Sequence, residues 1–323
     1  LGLNGRRYGT LYADPLSPDI GEALAELLGD GRIAVPARAE PARSGVDGHG
    51  TAAAAAVRGA RIARIGRHPD GFDTCAYDKD KLTALADVSV DELDLSALFD
   101  RAKAASGDAA SAIRDQAEAL LSGLDGVDQT QLERSLRLKA ALDELRGEGG
   151  YDAFAIRCWP ETFTEYGGAV CGPVSMMGEA KVPCACEADV YGALTTLLLQ
   201  KVAEAPAFLA DLVDLDVDDD TGVVWHCGQA PVSMAEPGVR PHATIHTNRK
   251  MPLLFEFPLR EGRVTFFRIS QARGKTVAVI GGGEMLKRPM AFTGTSGVVR
   301  FDSGSRAVLE TVIGSALEHH MAL

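Results

Sequence analysis

Two carboxylates and three histidines carry the types and spacing that could do chemistry. Glu187 stands within residues 183–204, PCACEADVYGALTTLLLQKVAE. Cys184, Ala185 and Cys186 suit the end of a buried strand, and Asp189 suits a helix N-cap. Val190, Leu194, Leu197, Leu198 and Val202 then recur at helical spacing. Glu187 is therefore expected at the carboxyl end of a strand, just before a helix, which is where open α/β sheets bind ligands. The alternative is that Glu187 and Asp189 only cap the helix. Asp211 lies 24 residues further on, beyond a helix long enough to return to the same edge. His226 follows another short apolar run, and His319 and His320 come near the end of the sequence. Carboxylates with an imidazole, mostly oxygen donors, suit Mn²⁺ or Mg²⁺ better than a thiolate-preferring metal.

Other chemistries find less support. Gly281, Gly282 and Gly283 lack the lysine and hydroxyl of a phosphate-binding loop and do not fit a dinucleotide fingerprint, so they read as a β-turn. There is no Gly-x-Ser-x-Gly elbow. Cys184 and Cys186 are too closely spaced for a zinc knuckle and no second Cys pair accompanies them; with His226 and Cys227 they could in principle make a thiolate site, but core thiols are the common case.

The elements that must position these residues follow from periodicity and turn chemistry. Residues 8–12 resemble a short strand, and Ala23, Leu24, Leu27 and Leu28 define one face of a helix. Residues 34–50 read as a Pro/Gly/Ala-rich linker. RIARIG (61–66) predicts a strand opening an α/β unit, HPDG (68–71) a loop, and residues 91–146 a charged helical region stopped by Gly149 and Gly150. DAFAIRC (152–158) predicts a strand running into Trp159. Residues 207–220 end in a solvated acidic turn, and residues 230–302 show short alternating runs, an antiparallel β pattern. Residues 305–318 return to helix and deliver the two terminal histidines. The expected fold class is α/β: Rossmann-like parallel-sheet domains followed by a β-rich C-terminal domain. The expected divisions are the end of an N-terminal α/β domain plus linker (1–50), a Rossmann-like domain (51–202) and the β-rich domain (203–323).

The 323 residues carry a net charge of −12 at pH 7 and a pI near 5.1, with 46% hydrophobic and 24% charged residues. With no long basic cluster, nucleic acid and anionic membrane are poor partners. No apolar run reaches the ~18 residues of a membrane span, and residues 1–25 show no signal-peptide pattern. The six cysteines read as reduced core thiols of a cytoplasmic protein.

The chain resembles the family of L-fucose and L-arabinose isomerases. The resemblance is carried by RGARIARIG with HPDGFDTCAYD, AIRCWPE, PCACEADVYGAL, APAFLADLVDLD with VVWHCGQAP, and EHHMAL, over nearly the whole sequence. It implies a metal-dependent aldose–ketose isomerase working through an enediolate, with Mn²⁺ (or Mg²⁺ or Co²⁺) held by Glu187, Asp211 and His320. It implies that Glu187 and Asp211 also handle the proton, and that His226 is either a further ligand or a substrate contact. Trp159, His226 and His319 are the expected sugar contacts, with a half-buried core role as the alternative for Trp159. A homo-oligomer, trimer or hexamer, is implied, as is an N-terminal α/β domain of which only the end is present. The competing functions are a non-catalytic sugar-binding or regulatory protein of the same fold, and an isomerase or epimerase of a modified sugar.

Overall fold

A computed structural model describes residues 8–30 and 48–323. Most of the expected linker over 34–50 lies outside the described residues. Residues 8–12 are irregular rather than a strand, and the expected helix is α1, Ile20–Asp30. An alanine-rich helix, α2 (Gly48–Ala56), leads to β1 (Arg61–Ile65), whose Ile62, Ala63 and Ile65 are fully buried.

The first sheet is parallel and has four strands. Its order is β2 (Ser89–Leu93), β1, β3 (Ala153–Ile156) and β4 (Cys184–Ala185). β3, Ala-Phe-Ala-Ile, is buried along its whole length, as expected of a central parallel strand covered on both faces. On one face lie α4 (Leu95–Ala104) and α6 (Gln129–Gly149), whose Leu98, Phe99, Leu138 and Leu142 pack on Ile65 and Phe154. α6 starts at Asp128, whose side chain accepts the Gln131 N–H at 2.8 Å, and ends at Gly150 in the left-handed region. Between β1 and β2 runs α3 (Lys79–Ala86), and between α4 and α6 runs α5 (Gly107–Leu120). α7 (Cys171–Glu179) precedes β4.

The other face is covered by α8, Val190–Ala203, capped by Asp189 as expected. α8 is apolar nearly all round, because it is wedged between two layers. Its Tyr191, Leu194 and Leu197 share one cluster with Ile62, Val90 and Ala155 of the sheet and with Leu209, Ile269 and Ala322 beyond.

Those last residues belong to the second unit, where the expected fold class is corrected. Instead of an open β-rich domain, six antiparallel strands close into a barrel. They run β10 (Val277–Leu286), β9 (Gly262–Ser270), β12 (His320–Ala322), β5 (Leu209–Asp216), β6 (Thr221–His226) and β11 (Thr295–Phe301), and β11 pairs back with β10. β8 (Leu254–Pro258) extends from β11, and β7 (His242–Thr244) pairs with β8. α9 (Ser305–Ser315) leads into β12. Three sequence readings change with closure. The acidic stretch after Asp211 begins inside strand β5 and only residues 217–220 form the expected turn, the glycines at 281–283 lie inside β10 rather than in a turn, and His320 sits on a strand. Among the described residues no helix is long and apolar enough to cross a membrane.

Candidate metal centre

The site lies where α8 and the parallel sheet meet the barrel. Three neighbouring barrel strands supply one part. His320 on β12 is in register with Asp211 on β5, which is in register with Trp225 on β6, one residue before His226. Gly228, at φ +80°, turns the chain just after β6. A Cβ there would come within 2.8 Å of the Phe255 backbone nitrogen, so only glycine lets this turn close on β8.

The sheet supplies Glu187. It leaves the two-residue strand β4 through a tight turn in which Glu187 (φ 58°) and Ala188 (φ 55°) are both left-handed. Such residues cost roughly 1–2 kcal/mol each and persist only where surrounding contacts hold them. Glu187 is held by the Trp159 indole N–H, donated to Oε1 at 3.1 Å, and by His319 Nε2, 2.8 Å from Oε2. Burial alone would raise the Glu187 pKa. The His319 hydrogen bond and the charges of His320 and His319 outweigh it and bring the carboxyl below its usual range. Burial likewise opposes charge on His319, but the Glu187 hydrogen bond and nearby Asp211 raise its pKa. His319 Nδ1 lies 2.9 Å from the Thr74 hydroxyl, and Phe72 stands edge-on to both Trp159 and His319.

The polar ends converge. Glu187, His319, His320 and Cys75 place ligand atoms within 4.8 Å of one another, and so do Asp211, His226 and His320. His320 Nε2 is 3.9 Å from Glu187 Oε2 and 3.7 Å from Asp211 Oδ1. Asp211 Oδ1, His226 Nε2 and His320 Nε2 are buried without a hydrogen-bond partner. Two of these orphaned atoms, Asp211 Oδ1 and His320 Nε2, lie beside the charged Glu187 carboxylate and fit a bound dication, since such atoms are costly to bury unpaired. Burial pushes the nearby Cys75 thiol well up, away from the thiolate form that metals prefer.

The residues expected at the site are therefore brought together: Glu187, Asp211 and His320 around the shared space, with His226, His319 and Trp159 around them. Sequence reasoning missed their support. Asp189 caps α8, donating no proton but accepting the Gly192 N–H at 2.8 Å. It also accepts Arg268 at 2.6 and 3.1 Å and His320 Nδ1 at 2.9 Å. Burial opposes its charge, but Arg268 and His320 hold the Asp189 carboxyl well below the usual range. Arg268 is 1% exposed. Its only sequence signal was a charge inside an alternating strand, which reads as a solvent face. The expectation of six reduced thiols is also corrected: Cys158 and Cys186 form a disulfide, joining the residue before Trp159 to the residue before Glu187. Arg249 lies over the Trp159 ring, 5.5 Å from its centroid, and has no carboxylate partner among the described residues.

His226 is 4% exposed. Its Nδ1 receives the Cys227 backbone N–H at 2.9 Å and lies 3.1 Å from the Gln229 amide nitrogen and 3.3 Å from Cys227 Sγ.

No family model matches the chain. A protein of Alkalicoccus urumqiensis named sulfoquinovose isomerase is 31% identical over 268 residues, covering 83% of this chain and 60% of that protein. One of the same name from Clostridium sp. (strain MSTE9) is 30% identical over 265 residues, covering 81% and 59%. A third, from Priestia megaterium, is 29% identical over 269 residues, with the same coverage. The chain thus spans about 60% of the length of the curated relatives it matches. These matches correct the expected kinship with L-fucose and L-arabinose isomerases: the relatives found at this similarity carry a different name, that of enzymes for a sulfonated sugar.

Proposed function

We propose that the chain carries the active site of a metal-dependent aldose–ketose isomerase, with sulfoquinovose as its substrate and Mn²⁺ as its cofactor. The observation that carries this reading is the pair of buried, unpartnered atoms Asp211 Oδ1 and His320 Nε2, 3.7 Å apart beside the Glu187 carboxylate. The name shared by the relatives supplies the substrate.

Glu187, Asp211 and His320 are the residues that would hold the ion. A divalent cation supplies, when bound, a Lewis acid for adjacent sugar oxygens and a counter-charge for the enediolate. The protein's own groups do the rest. Glu187 and Asp211 are the candidate bases for the proton that moves between C1 and C2. His319, donating to Glu187, keeps that carboxylate ionised and oriented. Trp159 and Phe72, packed edge to face, form an apolar wall that keeps water from the exchanging proton, and Arg249, stacked on Trp159, offers a cation for the sulfonate.

The test is a panel of aldoses, sulfoquinovose among them, incubated in D₂O with the chain and MnCl₂, with an EDTA-treated control. Ketose formation with deuterium at C1 of the ketose and at C2 of the recovered aldose, abolished by EDTA and restored by Mn²⁺, is the expected result. Measurable sugar binding with no turnover of any sugar would instead make this a binding protein. A C2 epimer without ketose would make it an epimerase.

A further inference from the structure

His226 and His320 aim their Nε2 atoms into the same buried space, and neither atom has a partner. Their rings are roughly parallel, with centroids 5.6 Å apart. What distinguishes them is the other nitrogen. His320 Nδ1 faces Asp189 Oδ2 at 2.9 Å. That carboxylate, tied to Arg268 and the Gly192 N–H, can only accept, so the ring proton sits on Nδ1. Nε2 is left with a lone pair, the arrangement found in metal-ligating histidines.

His226 is surrounded by the opposite chemistry. Its Nδ1 receives a backbone N–H, that of Cys227, at 2.9 Å. A backbone N–H has no lone pair and can only donate. The Gln229 amide nitrogen at 3.1 Å and the Cys227 thiol at 3.3 Å can donate there as well. Nδ1 therefore spends its lone pair on these donors, and the ring proton is on Nε2. A protonated Nε2 cannot ligate a cation.

We propose that His226 is a hydrogen-bond donor to the substrate and not a metal ligand, its Nε2–H directed at the sugar oxygen that becomes negatively charged in the enediolate. The cluster then divides by function: Glu187, Asp211 and His320 present lone pairs, and His226 presents a proton. The division rests on the metal reading above and deepens it.

Calorimetric titration of the 323-residue chain with MnCl₂ tests it without any turnover. His320→Ala should weaken Mn²⁺ binding by ~100-fold or more, whereas His226→Ala should stay within ~3-fold of wild type, because no ligand is lost. If His226→Ala is active at all, kcat on sulfoquinovose should fall by ~10²-fold, the scale of losing one donor to a developing oxyanion, with the Mn²⁺ requirement unchanged. A second measurement needs no variant fold. In ¹⁵N-histidine-labelled wild-type chain, long-range ¹H–¹⁵N correlation should show one ring with bare Nδ1 and protonated Nε2, unmoved by Mg²⁺. A second ring of the opposite tautomer should shift with the ion. Equal loss of Mn²⁺ in the two variants, or bare Nε2 in both rings, would overturn the inference and leave the metal site standing. A wild-type chain that binds no divalent ion would overturn both.

Discussion

The two halves that meet at the site hold their side chains by different means. Asp211, His226 and His320 come off adjacent, hydrogen-bonded barrel strands, so the backbone ladder itself fixes their spacing. Glu187 comes off a strand of two residues through two left-handed positions. Its place is set mainly by side-chain contacts: Trp159, His319 and the Cys158–Cys186 bridge. The barrel half is preorganised, and the sheet half is held against strain. Asp189 joins them, a helix cap on one half gripped by Arg268 and His320 from the other.

The largest effects should come from the carboxylate that each half contributes. Glu187→Gln and Asp211→Asn keep an oxygen donor but lose basicity. Each should still bind Mn²⁺ more weakly, while kcat drops by ~10²-fold or more. If both variants keep near-full activity with Mn²⁺ bound, neither half supplies the proton relay.

Next comes the joint between the halves. Arg268→Met leaves Asp189 as an unpaired buried charge, a loss of ~3–5 kcal/mol in urea-unfolding free energy. His320 also loses a well-fixed hydrogen-bond partner, so Mn²⁺ affinity should fall by ~10–100-fold. A variant with reduced stability and unchanged metal affinity would show that the joint is structural only.

A smaller effect tests the ties of the sheet half. Arg157 makes a two-pronged pair with Glu161 at 2.6 and 2.7 Å and donates to the His68 carbonyl, linking the loops that follow β1 and β3. The hydrogen bond from Arg157 brings the Glu161 pKa below its ordinary value. A depressed carboxylate pKa contributes stability above the unfolded value, ~4.3, and loses it as pH falls through the folded one. Glu161→Gln should therefore lower stability by ~1 kcal/mol at pH 7, and the gap to wild type should close on acidification below pH ~4. A gap independent of pH would rule out the ion pair as its cause.

The smallest effect isolates the strain. Ala188→Gly relieves a left-handed alanine and should raise the unfolding free energy by up to ~1 kcal/mol. Glu187 is held less firmly as a result, so Mn²⁺ affinity should fall slightly. A lower stability in this variant would mean that the turn costs nothing in the native chain.

Much of this site was legible because its signals are local. The apolar period after Val190, the cap at Asp189 and the spacing from Glu187 to Asp211 are properties of short windows, and the structure places those elements where the windows put them. What escaped the sequence depends on distant pairing. Asp189 already had a sufficient local role as a cap, which hid its contacts with Arg268, 79 residues away, and with His320. Cys158 and Cys186 are 28 residues apart, and nothing in the composition around them marks them as partners. Barrel closure rests on β10 pairing with β11, and alternating runs are the same whether a sheet stays open or closes. The two-residue β4 is too short for any periodicity to register.

The position of β12 has a consequence for how the molecule comes together. β12 is the last barrel strand in chain order, yet it lies between β5 and β9. Until it arrives, those two strands present unpaired edges to each other across a vacant slot, and exposed edges invite pairing with other chains. The parallel sheet needs little after α8, which covers its second face, and can consolidate earlier, whereas the barrel depends on contacts between residues more than a hundred positions apart, a slow class of step. The strand that fills the slot is also the one that brings His320. Assembly therefore proofreads itself: the act that seals the barrel's edges is the act that completes the candidate metal set.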